Sequence, residues 1–177
     1  MEPLYRVELG TILNELGDQI MLDVEMSLEP FTVGTETFSP VSPAHVHISL
    51  TNTGAGVVAQ GTITVDLTAT CCRCLGDFVL QSVGDVEGFY VTPSHAKQLP
   101  EEQEYEFIHD HAIDLMPALL AAMTVDLPFA PLHDPECAGI CPTCGADRNV
   151  DPCDCLEEAD GSPFAALGDL FHTEDGE

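Results

Sequence analysis

The stretch GTITVDLTATCCRCLGDFVLQSVGDVEGFYV, residues 61–91, decides the fold. Its first ten residues alternate between apolar and polar side chains, which is the period of a half-buried strand. The apolar positions are Ile63, Val65, Leu67 and Ala69. Residues 77–91 form a second β-like run rich in Val, Phe and Tyr, and the segment CCRCLG separates the two runs. The stretch therefore predicts a β-hairpin with cysteines at its turn.

The rest of the first ninety residues also favours β structure. Further strand candidates are residues 4–9, 18–28 and 45–52. Residues 29–44, which read EPFTVGTETFSPVSPA, are rich in Pro, Gly, Ser and Thr, and we predict a long loop there. A short strand is a candidate at residues 105–108.

One central helix follows, near residues 115–125. Asp114 is the expected N-cap, Leu115 the first helical residue, and Pro117 lies in the first turn, where its missing N–H does no harm. An apolar stripe at helical spacing marks the face that packs on the core. It consists of Leu115, Ala118, Leu119, Ala122 and Met123.

These patterns predict an α+β fold. The N-terminal half is mainly antiparallel β, and the cysteine-rich C-terminal segment has zinc-knuckle spacing and ends in a short helix at residues 162–171. We divide the chain into a β-rich domain at residues 1–132 and a cysteine-rich segment and tail at residues 133–177, packed on the same domain.

Four cysteines in the C-terminal segment have the spacing of a zinc site. Cys141 and Cys144 form a C-x2-C pair, and Cys153 and Cys155 form a C-x-C pair. Zinc prefers four N or S ligands in a tetrahedron, and tight turns bring such pairs onto one ion. The turn C-P-T-C-G places Gly145 where a positive φ is useful.

The remaining candidate ligands form a second set of four, which consists of Cys71, Cys74, His133 and Cys137. We predict that these distant pairs meet around a second zinc ion, which ties the C-terminal segment to the β region. A different distribution of ligands is also possible, in which Cys137 joins the C-terminal set and Cys155 is released. Cys72 belongs to neither set. Both sites have four protein ligands, as structural zinc sites do.

Two of the four basic residues lie beside these ligands in the sequence, Arg73 and Arg148. Because the thiolates at each site outnumber the two charges of a zinc ion, a nearby guanidinium would offset the excess negative charge. Contact with a partner is the alternative role for these arginines.

Charge is the extreme feature of the composition. The chain has 31 acidic residues and 4 basic residues, a formal net charge of −27. Strong binding to RNA or DNA normally depends on clustered Lys and Arg, so direct nucleic-acid binding is disfavoured. A basic partner is the natural complement. The acidity is also explained, without a partner, by solubility or by a salty cell interior.

The sequence favours a cytoplasmic protein without enzymatic activity. The N-terminal residues MEPLYRVELG lack the basic and apolar regions of a signal peptide, and no apolar run reaches the roughly 20 residues that a membrane span needs. In the cytosol thiols stay reduced, so eight cysteines indicate metal binding more than disulfides. We find no phosphate-binding glycine loop, no H-E-x-x-H and no nucleophile elbow.

Taken together, these motifs resemble the YceD family of large ribosomal RNA subunit accumulation proteins. The similarity covers nearly the whole chain and includes a β-rich N-terminal half that ends in C-C-R-C-L (residues 71–75). It continues through a Pro-Glu-Glu stretch, I-D-L at the start of the helix, and L-P and P-L-H-D before a cysteine. G-I-C-P-T-C-G, a late C-x-C and P-F-A-A-L complete it. Some members have Cys where His133 stands, and some lack the cluster at 141–155, so the zinc assignment depends on spacing.

The resemblance implies a role in the accumulation of large-subunit ribosomal RNA, through ribosome assembly and not through catalysis. The family's gene often lies beside that of a small basic ribosomal protein, which implies a basic ribosomal protein or an assembly factor as the partner. Two other functions remain open from the sequence. One is an RNA-binding zinc module, and the other is a thiol-redox protein that uses Cys71 and Cys74.

Overall fold

The computed structural model describes residues 5–155, which fall into two compact units. Of these residues, the first unit takes 5–72 and 76–135, and the second takes 73–75 and 136–155. The helix predicted at residues 162–171 lies outside the described residues.

The β6–β7 hairpin is the centre of the first unit. Strand β6 (Val57–Thr70) pairs antiparallel with β7 (Asp77–Val91), from Val57 opposite Tyr90 to Thr70 opposite Asp77. The predicted hairpin is therefore confirmed. The predicted apolar face is buried, because Ile63 and Leu67 are fully inaccessible and Val65 and Ala69 are almost so. Apolar and polar residues alternate along β6 because one face of the sheet packs on the core and the other faces solvent.

The other predicted strands of the N-terminal half are also present. Strands β2 (Gln19–Met26) and β5 (Ala44–Asn52) pair antiparallel, and β5 pairs with β6, which gives the order β2-β5-β6. A two-stranded sheet is formed by β1 (Arg6–Glu8) and β9 (Ala112–Asp114). A 3-10 helix follows β1 at Gly10–Asn14.

The prediction of a long loop at residues 29–44 is wrong. The segment forms a hairpin of β3 (Phe31–Val33) and β4 (Glu36–Pro40), and β4 also pairs with β6. Gly34 makes the tight connection with a φ of +63°, a conformation that suits glycine. Burial of Phe38, whose ring stacks 6.1 Å from that of Phe31, favours the hairpin over a loop.

The central helix is confirmed as α2 (Met116–Asp126), and all five residues of the predicted stripe are buried. Leu115 occupies the cap position that we predicted for Asp114, which lies at the end of β9. The Asp114 carboxylate still accepts a hydrogen bond from the Met116 backbone N–H at 3.0 Å. The short strand predicted at residues 105–108 is present as β8 (Glu106–Phe107), which runs parallel to β7. The structure adds a short helix, α1 (Pro93–Ala96). Within residues 5–155, no helix has the length and apolarity needed to cross a bilayer.

A glycine lets α2 approach β7 closely. A Cβ atom at Gly84 would lie 2.7 Å from the backbone carbon and oxygen of Ala122. Contacts at this distance are repulsive, so any side chain here would push the helix away from the sheet. Gly84 therefore sets the distance between α2 and β7.

The second unit, as far as residue 155, is held by turns. An isolated antiparallel bridge joins Ile140 to Asp147, and the Arg148 N–H donates to the Gly139 carbonyl at 2.9 Å. The Ile140 N–H donates to the carbonyl of Arg73 at 3.0 Å, which attaches residues 73–75 to this unit. Cys137 and Cys141 are its buried side chains in the described part.

Gly84→Ala should destabilise the protein by about 1–3 kcal/mol, because the added methyl group overpacks the contact between the helix and the strand. Urea unfolding followed by circular dichroism measures the loss. The exposed Gln81→Ala on the same strand is the control, and we expect it to change the free energy of unfolding by no more than about 0.5 kcal/mol. Equal stability of the two variants would contradict the proposed close contact.

Candidate metal centre

Two groups of four side chains converge in the structure. The potential ligand atoms of each group all lie within 4.8 Å of one another. The first group consists of Cys71, Cys74, His133 and Cys137, and the second consists of Cys141, Cys144, Cys153 and Cys155. All eight cysteines lie in the described part of the chain, and none is joined in a disulfide. Two cysteine-rich groups could therefore hold metal ions, with the grouping that the sequence suggests.

The two C-x2-C turns share one backbone geometry. In the first, the Cys71 N–H donates to the Gly76 carbonyl at 2.9 Å, and Leu75 has a φ of +61°. In the second, the Cys141 N–H donates to the Ala146 carbonyl at 2.8 Å, and Gly145 has a φ of +76°. Each turn thus bends back after its second cysteine through a left-handed residue. The positive φ predicted for Gly145 is confirmed, whereas nothing in the sequence indicates the same conformation at Leu75.

The donor sets fit a tetrahedral ion of the zinc type. Zinc–sulfur bonds of about 2.3 Å place the sulfurs of a regular tetrahedron about 3.8 Å apart. All ligand atoms of each group lie within 4.8 Å of one another, so at most small side-chain rotations would bring them to this separation. Thiolate and imidazole groups are typical ligands of zinc, whereas magnesium and calcium prefer oxygen ligands.

Backbone amides favour a thiolate in the second group. The N–H groups of Cys144 and then Thr143 donate toward the Cys141 sulfur and lower the pKa of that thiol to about 5. The pKa of Cys155 is raised to about 12, first because its thiol shares a hydrogen bond with Cys144 and next with Cys153. The Cys155 thiol therefore keeps its proton at neutral pH, and a bound metal ion would displace it.

Both arginines lie next to cysteine ligands. The Arg148 guanidinium contacts the Cys141 sulfur at 3.9 Å, a distance at which it offsets thiolate charge. The Arg73 guanidinium donates to the backbone carbonyl of Cys137 at 3.0 Å. Arg73 therefore fixes the main chain at a candidate ligand, a role that sequence spacing alone does not reveal.

Asn149 is a supporting residue that the sequence analysis missed. Its side-chain amide donates to the Cys137 sulfur at 3.4 Å and accepts from the Ala138 N–H at 2.8 Å. Such hydrogen bonds orient a ligand and tune its basicity. An isolated Asn in a polar loop carries no sequence signal for this role.

His133 and Cys72 have distinct surroundings. The His133 ring is exposed and lies edge-on to Phe78, with ring centroids 6.4 Å apart. Cys72 is exposed and lies outside both groups, as the sequence analysis places it, while its backbone N–H donates to the Pro131 carbonyl at 2.9 Å. Cys72 is therefore a natural control for variants of the ligand cysteines.

Comparison with known proteins finds relatives in mycobacteria. An uncharacterized protein of Mycobacterium tuberculosis is 33% identical over 98 residues, which cover 55% of this chain and 47% of the relative. A protein of Mycobacterium bovis matches to the same extent, and one of Mycobacterium leprae is 28% identical over 112 residues, 63% of this chain and 52% of the relative. Both are also described as uncharacterized. The chain thus spans about half the length of the curated relatives it matches.

No solved structure matches the chain. A family model, described as large ribosomal RNA subunit accumulation protein YceD, matches residues 59–171. The matched region begins within β6 and contains both cysteine groups. Because the match covers more than half of the chain, this protein belongs to the YceD family.

Proposed function

We propose that this chain is a zinc-stabilised, acidic cytoplasmic protein that supports the accumulation of large-subunit ribosomal RNA. It does so by binding a basic ribosomal protein or a ribosome assembly factor. The observation that carries the proposal is the family match over residues 59–171. Acidity and the cysteine groups supply the physical means.

Zinc would have a structural role in this proposal. Each group offers four N or S donors, which fill a tetrahedron and leave no position for a reactive water. The second unit has no extended sheet or helix in its described part, so a metal ion would supply much of its folding free energy. An enzymatic role is not part of the proposal.

The charge distribution supports a basic partner. The chain has a net charge of −27, and most of its few cations contact their own chain. Arg6 pairs with Glu8, Arg73 binds the Cys137 carbonyl, and Arg148 contacts the Cys141 sulfur. A surface of this kind attracts basic proteins and repels phosphate backbones. The acidic chain would keep a basic ribosomal protein soluble until ribosomal RNA competes for it.

The two other functions receive less support. An RNA-binding module needs a basic patch, and three of the four basic side chains are engaged within the chain. A thiol-redox role for Cys71 and Cys74 needs an accessible thiolate, whereas Cys71 is fully buried.

Purified protein should contain about two zinc ions per chain, because each group has four ligands for one tetrahedral ion. Elemental analysis should give the same content for Cys72→Ser and about one ion for Cys71→Ser and for Cys141→Ser. Since loss of a ligand can also unfold the chain, circular dichroism is recorded for each variant. Equal metal content in Cys72→Ser and Cys141→Ser would contradict the second site.

Cells that lack the protein should have less large-subunit ribosomal RNA relative to small-subunit RNA. The expected cause is slower assembly of the large subunit. Quantification of the two RNAs tests this, with the wild-type gene restored as the control. An unchanged ratio would overturn the role in ribosomal RNA accumulation.

The tagged full chain should capture a basic ribosomal protein or an assembly factor from cell extract at low salt and release it as salt is raised. Screening weakens interactions between exposed charges, which is the reason for the salt dependence. Mass spectrometry identifies the captured proteins, and an unrelated protein of similar acidity is the control. Recovery of the same proteins by both baits would contradict a specific partner.

A further inference from the structure

A groove lies between β7 and α2 in the first unit and reaches the free edge of β7. One part, of about 520 Å³, lies between Val83–Glu87 of β7 and Ala121–Asp126 of α2. The other part, of about 790 Å³, continues along β7 to Tyr90 and is also bordered by residues 103–106, by residues 58–60 of β6 and by the first turn of α2. The two parts share Glu87 and Ala121, so they form one continuous feature.

The edge of β7 in this groove offers unpaired backbone groups. Gly76 accepts from Cys71 on the side of β6, so the alternation of an antiparallel ladder turns the odd-numbered residues of β7 outward. The outward Val83 N–H donates to the Asp126 carboxylate at 3.0 Å, and the outward Val91 carbonyl accepts from Ile108. Between these two positions, no hydrogen bond within the described residues engages the outward backbone groups of Asp85 and Glu87.

The side chains around the groove are acidic and aromatic. Asp85, Glu87, Glu104 and Glu106 line it, and Phe89 and Tyr105 border the larger part. Neither part is lined by a Lys or Arg from the described residues. Carboxylates beside aromatic rings form a favourable environment for a guanidinium or an ammonium group.

A buried hydroxyl in the same groove lacks a partner. Tyr90 lines the larger part, is almost fully buried, and its hydroxyl makes no hydrogen bond. Gly88 makes room for this side chain, since a Cβ atom there would lie 3.1 Å from the hydroxyl oxygen. Burial, and then the charges of Glu106 and Asp114, raise the pKa of Tyr90 to about 12, so the neutral hydroxyl can accept a hydrogen bond at ordinary pH. An unsatisfied buried group of this kind is unfavourable unless a ligand supplies its partner.

We propose that this groove binds an extended, basic segment of a partner protein as an added β-strand. The segment would pair with the outward backbone groups of Asp85 and Glu87. Its Arg or Lys side chains would contact Glu87, Glu104 and Glu106, and one of them would donate to the Tyr90 hydroxyl. Strand addition of this kind obtains affinity from main-chain hydrogen bonds and specificity from side-chain pockets. The inference rests on the proposed function, because it supplies the place where the basic partner binds.

A short labelled peptide of alternating arginine and valine should bind the full chain at low salt. Glu87→Lys should weaken binding about tenfold or more, because it places a like charge in the groove. The matched control is Glu29→Lys, which makes the same change of net charge at an exposed loop residue and should leave the affinity within about twofold. Fluorescence anisotropy measures both.

A second peptide separates strand addition from charge alone. It has the same sequence with methyl groups on alternate backbone nitrogens, which removes main-chain donors and keeps the charge. We expect its affinity to fall about tenfold or more relative to the first peptide. Tyr90→Phe should also weaken binding of the first peptide while the protein remains folded, since only an unpartnered hydroxyl is removed.

Three results would overturn the groove site. They are no binding of the first peptide, equal weakening by Glu87→Lys and Glu29→Lys, or equal affinity of the methylated and unmethylated peptides. The capture experiment distinguishes this failure from that of the proposed function. If Glu87→Lys still captures the ribosomal protein, the function stands and the groove is wrong. If the peptide binds as expected but no ribosomal protein or assembly factor is captured, the groove stands and the function is wrong.

Discussion

The uninterrupted pairing of β6 with β7 is the constraint on which the rest of the first unit depends. Every residue from Val57 to Thr70 has a partner between Tyr90 and Asp77, without a bulge. Because side chains alternate at a period of two, one register determines which residues enter the core and which backbone groups face outward. A slip of one residue would expose Ile63 and Leu67. It would also change the pairing of Cys71 with Gly76 that shapes the hairpin turn.

Strands and helices are predicted correctly from the sequence where one face of the element is buried and the other is exposed to solvent. The strands at residues 61–70 and 77–91 and the helix near 115–125 follow periodicities that burial imposes directly. The hairpin at residues 29–44 was missed because its turn-forming residues dominate the composition. Its strands are short, and their stability depends on the burial of Phe38 and on pairing with β6, which are tertiary effects.

The candidate ligands and their supporting residues differ in how much the sequence reveals. Short cysteine spacings reflect the reach of a tight turn around one ion, so the cysteines at 141–155 can be grouped without a structure. The role of Asn149 depends on a loop conformation that has no periodic signature. The groove beside β7 is equally hidden, because it arises where a sheet edge meets α2 and residues 103–106, which are separate in sequence. Its acidic residues look like ordinary surface charges until the fold places them together.

The large negative charge of the chain opposes its folding into a compact state. Thirty-one acidic residues repel one another in any compact state, and the chain has only four basic residues to compensate. Arg73 and Arg148 lie at the cysteine groups, where they favour ligand geometry and offset thiolate charge. The β7 edge adds unpaired amides, and Tyr90 adds a buried hydroxyl, both beside carboxylates. The repulsion between carboxylates and the buried hydroxyl each lower the stability of the isolated chain. A basic strand in the groove would offset the carboxylate charge and supply a donor to the hydroxyl while it pairs with the β7 edge. Part of the binding energy would therefore come from unfavourable features that the free chain already contains.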